Sequence, residues 1–306
     1  MISRVRLGVA IPQTFVGGPV DPGRIRDFLR RAEALDFHSA WVVEQILGSA
    51  PSLEPVHTLT YAAAVTERLR LGSAVLLTAL RSPVHLAKSL ATRDQLSGGR
   101  LIVGVGLGGS PGIYAAHGLS AEGRAARFAE GLRLMKRLWT EPRVTLAGEF
   151  YRLENASMQP QPVQKPHPPL WFGAHHPLAL GRAVELGEGF IGAGSASTST
   201  FAREVTAVRA ILAELGRDPA SFAVAKRVYI AIDRDRARAG KRLAEWFGAF
   251  YGKPALAEDV CVWGDTETCV EGLRAIVGAG AGFLVLNPVF DELEHLERFA
   301  EIAPAL

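Results

Sequence analysis

Apolar and polar positions alternate along the chain in two kinds of segment. Short apolar runs, typical of strands buried on both faces, are followed by longer stretches with apolar residues three and four positions apart, typical of amphipathic helices. The predicted strands are Arg6–Ile11, Ser39–Val43, Leu71–Leu77, Arg100–Val105, Leu170–Phe172, Gly189–Ile191, Phe222–Ile232 and Gly282–Asn287. The predicted helices are Pro22–Leu35, Glu54–Thr66, Pro83–Leu96, Arg124–Leu138, Leu178–Leu186, Thr200–Leu215, Asp235–Phe250, Thr266–Gly278 and Glu292–Ile302.

The alternation is interrupted once, after the fourth strand–helix unit. Val144–Leu153, with Ala147-Gly148 at its centre, predicts a β-hairpin. Gln159–Pro169 holds five of the 18 prolines and is predicted to be extended, because proline cannot donate to a central sheet. About eight units joined by right-handed crossovers predict an α/β fold, a (β/α)₈ TIM barrel with this hairpin and extended segment inserted after the fourth unit. No shift in composition marks a boundary, so residues 1–306 form one predicted domain.

The alternative fold is an open, doubly wound sheet. That fold places a glycine-rich turn directly after the first strand. Here the first strand leads into Pro12–Thr14, which lacks that fingerprint. The closed barrel is therefore favoured.

Composition narrows the class of protein. Hydrophobic residues make up 48% and charged residues 21%, which excludes wholesale disorder. The net charge is only +3 and the sequence contains no run of lysine and arginine residues, so no nucleic-acid partner is expected. No apolar run reaches the roughly 20 residues of a membrane span, and Met1–Arg6 lacks a signal-peptide layout. Cys261 and Cys269 fit neither a disulfide framework nor a zinc spacing, so a reduced, cytoplasmic protein without a metal site is expected.

In a (β/α)₈ barrel the functional site lies at the carboxyl ends of the strands. Gly104–Ser110 has a GxGxxG-like spacing, but no helix follows at once, so a nicotinamide site is rejected. Gly173–Pro177 joins a strand to a helix, where free N–H groups and the helix dipole favour a phosphate. A tight turn with two solvent-facing histidines is an equally good interpretation of that segment.

Nine short motifs along the chain form a recognisable set. They are Arg81–Pro83, Leu86–Lys88, Asp94–Leu101, Gly104–Gly106, Phe128 with Leu138-Trp139, Gly148–Tyr151, Pro168–Gly173, Leu186–Phe190 and Leu286–Pro288. Together they resemble the luciferase-like flavin-dependent oxidoreductases, most of all their F420-dependent branch. They occur in the family's order from Leu7 to near the C-terminus, and as a set they are specific.

The resemblance implies a barrel that binds coenzyme F420 or FMN at its carboxyl-terminal mouth. Family members often carry a non-prolyl cis peptide in the third strand, which by position falls at Ala74-Val75, whereas an ordinary strand of small residues is the alternative. The family's phosphate loop maps onto Gly173–His176. Together with the strand ends, this gives the predicted cofactor-binding residues Ser73, Ala74, Val75, Leu77, Gly106, Gly108, Gly173, Ala174, His175, His176, Gly192 and Gly194.

Two departures from the family concern proton transfer. Many relatives have a histidine after an acidic residue at the end of the second strand, where this chain has Glu44-Gln45. Gly109 takes the place of a glutamate found in the sugar-phosphate dehydrogenase branch, so oxidation of sugar phosphates is not expected. The catalytic candidates are therefore Glu44, Gln45 and His57, although a salt bridge for Glu44 and a surface or cap position for His57 are at least as well supported.

Other residues near the mouth carry weaker expectations. Tyr114 and His117 lie in a predicted loop after the fourth strand, which is either a substrate wall or ordinary packing. Trp41, Trp139 and Trp171 are assigned to the core.

The expected function is hydride transfer between F420 and an unidentified small organic substrate. The chain lacks the long lid insertions of many FMN monooxygenases, which favours F420 over the alternative of an oxygen-using FMN monooxygenase. A non-catalytic flavin-binding protein is the alternative from another class, supported by the missing acid–base pair. An unrelated barrel isomerase is disfavoured because lysine is nearly absent from the strand ends. The resemblance also suggests a homodimer.

Overall fold

The computed structural model describes residues 5–108 and 111–306. Its strands are β1 (Arg6–Ala10), β2 (Ser39–Val42), β3 (Arg70–Ser73), β4 (Leu76–Leu77), β5 (Leu101–Gly106), β6 (Val144–Ala147), β7 (Arg152–Ala156), β8 (Leu170–Phe172), β9 (Gly189–Gly192), β10 (Ala223–Ile232), β11 (Val262–Gly264) and β12 (Phe283–Asn287). Its α-helices are α1 (Pro22–Ala34), α2 (Pro55–Val65), α3 (Pro83–Leu96), α4 (Pro111–Ala116), α5 (Arg124–Thr140), α6 (Pro177–Leu186), α7 (Thr198–Glu214), α8 (Arg236–Tyr251), α9 (Leu256–Val260), α10 (Thr266–Gly278) and α11 (Glu292–Ile302). Within these residues no helix combines the length and apolar character needed to cross a bilayer.

Eight parallel strands close into a ring. Their order is β1-β2-β3-β5-β8-β9-β10-β12, and β12 pairs with β1 to complete the circle. The register at the closing seams is Gly8↔Val285 and Ala225↔Ile191. The closed barrel is confirmed, and the open doubly wound sheet is excluded.

Large side chains fill the inside of the barrel. Trp41 and Trp171 pack with their ring centroids 5.2 Å apart, among Ile102, Ile191 and Val285. Trp139 is buried in the outer layer between barrel and helices, and its Nε1 donates to the carbonyl of Ala87 at 2.9 Å. The assignment of the three tryptophans to the core is therefore confirmed, and the barrel centre is a packed layer rather than a channel.

The third strand is not the single strand Leu71–Leu77 that the apolar pattern predicts. It divides into β3 and β4 at a cis peptide between Ala74 and Val75, the position implied by the family resemblance. At this break the Ser73 hydroxyl donates to the carbonyl of Gly104 and accepts from its N–H, both at 2.9 Å. Ser73 thus supplies hydrogen bonds that the interrupted strand ladder does not.

An antiparallel hairpin, β6 with β7, lies between α5 and β8. The proline-rich segment behind it runs along α3, where the Gln164 N–H and amide donate to the Asp94 carboxylate at 2.9 and 2.8 Å. Three short elements, α4, α9 and β11, were not predicted. With three to six residues each, they are too short to establish a periodicity.

Replacement of Gly104 by alanine is expected to destabilise the fold strongly. A Cβ there would lie 1.7 Å from the Ser73 carbonyl oxygen, so the backbone must move. We expect a loss of about 3 kcal/mol or more in the free energy of unfolding, measured by denaturant titration. The control is Gly181→Ala in α6, where a Cβ meets no atom within 4 Å and helix propensity predicts a gain of up to about 1 kcal/mol. Equal effects from both variants would contradict this account.

Candidate active site at the barrel mouth

A cavity of about 710 Å³ opens at the carboxyl ends of the strands. The segment between β3 and β4, the end of β4 and the segments at the ends of β5, β8 and β9 form most of its wall. It contains every predicted cofactor-binding residue except Ser73, namely Ala74, Val75, Leu77, Gly106, Gly108, Gly173, Ala174, His175, His176, Gly192 and Gly194. Ser73 is buried behind this wall and bonds to Gly104.

Two glycines of this wall, Gly106 and Gly173, lie directly against the Val75 side chain. A Cβ on Gly106 would lie 2.5 Å from Val75 Cγ2, and one on Gly173 would lie 3.1 Å from Cγ1. Val75 therefore packs directly against the backbone at both positions, and any other residue there would force it to move. The result is an apolar floor, made by Ala74 and Val75, that a flat ring system can approach closely.

The turn from β8 into α6 presents free hydrogen-bond donors. Among the described residues, the backbone N–H groups of Ala174, His175 and His176 have no hydrogen-bond partner. Pro177 is the first residue of α6, and the Nδ1 of His176 accepts from the Leu178 N–H at 3.3 Å. The positive end of the helix and these donors suit an anionic group.

The charges around the cavity are basic. Arg124, Arg182 and Arg227 line it together with His175 and His176, and none of the described lining residues is acidic. A concave surface lined by one sign of charge attracts ligands of the opposite sign. The cavity therefore favours a ligand that is both flat and anionic.

One of the two histidines is held by a buried carboxylate. His175 Nδ1 lies 2.6 Å from Glu204 Oε1, and this hydrogen bond raises the pKa of His175. Glu204 is buried, and its second oxygen has no partner among the described residues. Beside it, burial and the neighbouring Arg227 lower the pKa of Lys226 to about 7.

Sequence reasoning missed a polar cluster formed by Arg227, Tyr229 and Tyr251. Arg227 is buried on β10, and its Nη1 donates to the Ala74 carbonyl at 3.4 Å and its Nη2 to the Tyr251 hydroxyl at 3.3 Å. The hydroxyls of Tyr251 and Tyr229 are 2.8 Å apart. The available signal was the pair Lys226-Arg227 inside an otherwise apolar strand, since charged residues are rarely buried without a role.

Glu44 is engaged in a structural ion pair. Its Oε1 lies 2.6 Å from Arg81 Nη2, and its Oε2 accepts from the Leu77 N–H at 2.5 Å. The structure therefore agrees with the interpretation of Glu44 as a salt-bridge residue. The Nε2 of Gln45 donates to the Phe250 carbonyl in α8 at 3.2 Å. Neither side chain lines the cavity, but Glu44 fixes the backbone of Leu77, which does.

His57 lies outside the cavity. Its side chain is 88% exposed, and its Nδ1 pairs with Glu54 Oε2 at 2.7 Å in the first turn of α2. The structure thus places it as a surface histidine at a helix N-terminus. Gly109, the position of the missing glutamate, lies outside the described residues.

The predicted loop after the fourth strand is in part a helix. Tyr114 belongs to α4, is fully buried, and donates its hydroxyl to the Leu107 carbonyl. His117 follows α4 and bonds to the Ile113 carbonyl at 2.9 Å. The expectation of a substrate wall at these residues is not met by Tyr114, whose side chain packs into the core.

Comparison with known proteins decides the family. Residues 5–259 match the model of the family described as luciferase-like monooxygenase. The chain belongs to this family. It is therefore an enzyme of the oxidoreductase or monooxygenase class, as the sequence motifs predicted.

Individual relatives of this luciferase-like chain differ in cofactor. An F420-dependent glucose-6-phosphate dehydrogenase from Kineococcus radiotolerans is 31% identical over 235 residues, which cover 74% of this chain and 68% of the relative. An FMNH₂-dependent dimethylsulfone monooxygenase from Pseudomonas putida is 33% identical over 156 residues, 50% of this chain and 42% of the relative. The solved structure of an F420-dependent secondary alcohol dehydrogenase superposes with a TM-score of 0.85, at 21% identity and 99% coverage of both chains, which supports the fold alone.

Replacement of Glu204 by glutamine is expected to lower the pKa of His175. The glutamine amide cannot stabilise the imidazolium as the carboxylate does. In the unchanged protein the raised pKa of His175 stabilises the folded state. This contribution is fully present below the unfolded-state pKa of about 6.5 and is lost as the pH rises through the higher pKa of the folded state. NMR titration of the imidazole measures the shift. Glu214→Gln, at the exposed end of the same helix, should leave His175 unchanged, and an equal response to both variants would contradict the assigned pairing.

Proposed function

We propose that this enzyme transfers hydride between coenzyme F420 and a small organic substrate at the barrel mouth. The proposal rests on one observation, a glycine-rich cavity with an apolar floor at Ala74 and Val75 and with arginines, but no acid, among its described lining residues. A relative 31% identical to the chain is F420-dependent, which supports this cofactor.

The residues present fit such a group. The cavity volume of about 710 Å³ is within the range of about 300–1,000 Å³ typical of cofactor sites. Ala74 and Val75 would support the flat ring from behind. The free N–H groups of Ala174, His175 and His176 would bind its phosphate, with the Arg182 guanidinium as a further donor.

A bound F420 would donate or accept the hydride, while the chain supplies position, electrostatics and protons. Gln45, at the position of the usual histidine, cannot exchange a proton near neutral pH. Tyr251 lines the cavity with a hydroxyl that can donate a proton to the substrate. The Tyr229 hydroxyl at 2.8 Å holds it in place, and Arg227 orients both phenols. We infer that Tyr251 is the proton donor of this enzyme.

An FMN-dependent monooxygenase is the second candidate. The FMNH₂-dependent dimethylsulfone monooxygenase from Pseudomonas putida, a relative of the chain, supports it. The same glycine walls and phosphate donors would accept either ring system. The two candidates differ in whether oxygen takes part.

Titration of the full chain with F420 and with FMN separates these candidates. We expect saturable binding of F420, followed by its fluorescence, and at least tenfold weaker binding of FMN. Preference for FMN would support the monooxygenase candidate. Failure of both to bind would overturn the cavity as a flavin site.

Replacement of Gly173 by leucine is expected to weaken F420 binding by about a hundredfold, because the added side chain would press on Val75, 3.1 Å from its Cβ, in the cavity wall next to the phosphate donors. Fluorescence titration measures the affinity, and thermal unfolding checks that the variant folds. The matched control is Gly181→Leu, where a Cβ meets nothing within 4 Å. Unchanged affinity in a folded Gly173→Leu protein would place the phosphate elsewhere.

Replacement of Tyr251 by phenylalanine is expected to lower kcat about a hundredfold while F420 affinity stays constant, since only the proton donor is lost. The measurement is oxidation of reduced F420 with 2-cyclohexen-1-one as the acceptor, across pH 5 to 9. Tyr61→Phe, which removes an exposed hydroxyl bonded to the Pro22 carbonyl, is the control. An unchanged rate and pH profile would show that water or another group delivers the proton.

A further inference from the structure

The opposite end of the barrel contains a second cavity, of about 620 Å³, at the amino ends of the strands. Arg6 opens β1, Arg70 opens β3, His38 directly precedes β2, and Arg209 reaches in from α7. Apolar side chains complete its wall, including Trp171, Phe222 and Phe283. A packed layer around Trp41 and Trp171 lies between this cavity and the mouth.

Other arginines near this end of the barrel have evident structural partners. Arg100 donates to the carbonyls of Ala63, Thr66 and Leu69 at 2.8–3.1 Å, around the C-terminus of α2. Arg217 likewise donates to the carbonyls of Val184 and Gly187 at the end of α6. Such bonds satisfy carbonyl groups that a helix terminus leaves open.

Of the three arginine side chains of the second cavity, only Arg70 donates hydrogen bonds within the described residues, to the Gln164 side chain and, at 3.5 Å, to the Leu101 carbonyl. Within residues 5–108 and 111–306, no carboxylate lies within 4 Å of Arg6, Arg70 or Arg209. Arg70 donates to the Gln164 side chain at 2.9 Å, and Arg6 lies over the Phe283 ring at 5.0 Å. Three arginines, Arg6 and Arg209 at exposed positions and Arg70 half-buried, therefore face one cavity without a carboxylate in direct contact.

The acids nearest to these arginines are already engaged. Glu188, the one carboxylate among the described lining residues, pairs with Lys136 at 3.0 Å and accepts from the Leu170 N–H at 2.8 Å. Asp94 accepts from the backbone and side chain of Gln164. Neither neutralises the arginines by direct contact.

Two buried nitrogen atoms at this cavity also lack partners among the described residues. They are Nδ1 of His38 and Nε of Arg70. Buried polar atoms are nearly always hydrogen-bonded, so unpaired nitrogen atoms beside a cavity point to a missing partner. Burial lowers the pKa of His38 to about 4, and the charges of Arg6 and Arg70 add to the shift.

We propose that this amino-end cavity is a second ligand site, which binds a small polyanion of the phosphate-ester or diphosphate class. Arg6, Arg70 and Arg209 would bind the anionic groups, and guanidinium groups suit phosphate oxygens because they donate two parallel hydrogen bonds. The apolar wall at Trp171 and Phe222 would contact an organic portion of the ligand. The site shares no lining residue with the mouth and does not depend on the proposed cofactor.

Inorganic pyrophosphate is the probe, added to the full chain without F420 or FMN. We expect saturable binding by calorimetry and an upward shift in the pKa of His38 by NMR, because a nearby anion favours the charged imidazolium. His38→Gln assigns the resonance. A linear, non-saturating response with an unchanged His38 pKa would overturn the proposal.

Charge-removing variants locate the bound anion. Arg6→Gln, at an exposed position, and Arg70→Gln are each expected to weaken pyrophosphate binding about tenfold, as loss of a charge-assisted hydrogen bond predicts. Arg30→Gln on the exposed face of α1 is the matched control and should leave binding unchanged. Binding that is insensitive to Arg6→Gln and Arg70→Gln but weakened by Arg182→Gln would place the anion at the mouth and overturn the proposal.

Discussion

Closure of the parallel sheet is the constraint on which the rest of the structure depends. Hydrogen bonds from β9 to β10, β10 to β12 and β12 to β1 leave no open edge among the eight barrel strands. Since all strands run in one direction, every carboxyl end reaches the same mouth. Segments as distant in sequence as Ala74, Gly106 and Gly173 therefore form one wall.

The interior packing divides the barrel into two chemically independent ends. Trp41 and Trp171 fill the centre, so no path for a ligand runs through the ring. At the carboxyl end, the backbone N–H groups of the β8–α6 turn and the positive N-terminus of α6 add to the positive potential of the arginines. At the amino end the helices present their negative C-termini, which arginines such as Arg100 cap directly. Arg6, Arg70 and Arg209 are the exceptions to this capping pattern.

The site is held in place by buried polar contacts rather than by loop packing alone. Glu44 bonds to both Arg81 and the Leu77 backbone, and Arg81 also contacts Glu54 at 3.0 Å. Removal of Arg81 from this network would leave the buried Glu44 carboxylate without its cation, which is costly. A residue that looks like an acid–base candidate in sequence is thus part of the support of the cavity wall.

The sequence by itself determined the alternation of strands and helices, and hence the barrel, because periodicity reports which face of each element is buried. It also determined the glycine positions at the mouth, since each follows directly from a strand end and a family motif. The sequence did not reveal the contacts of residues whose partners lie far along the chain. Arg227 meets Ala74 across 153 positions, and Gln45 meets Phe250 across 205. Only the tertiary structure decides these pairings, because the distances between side chains are set by barrel closure and not by local pattern.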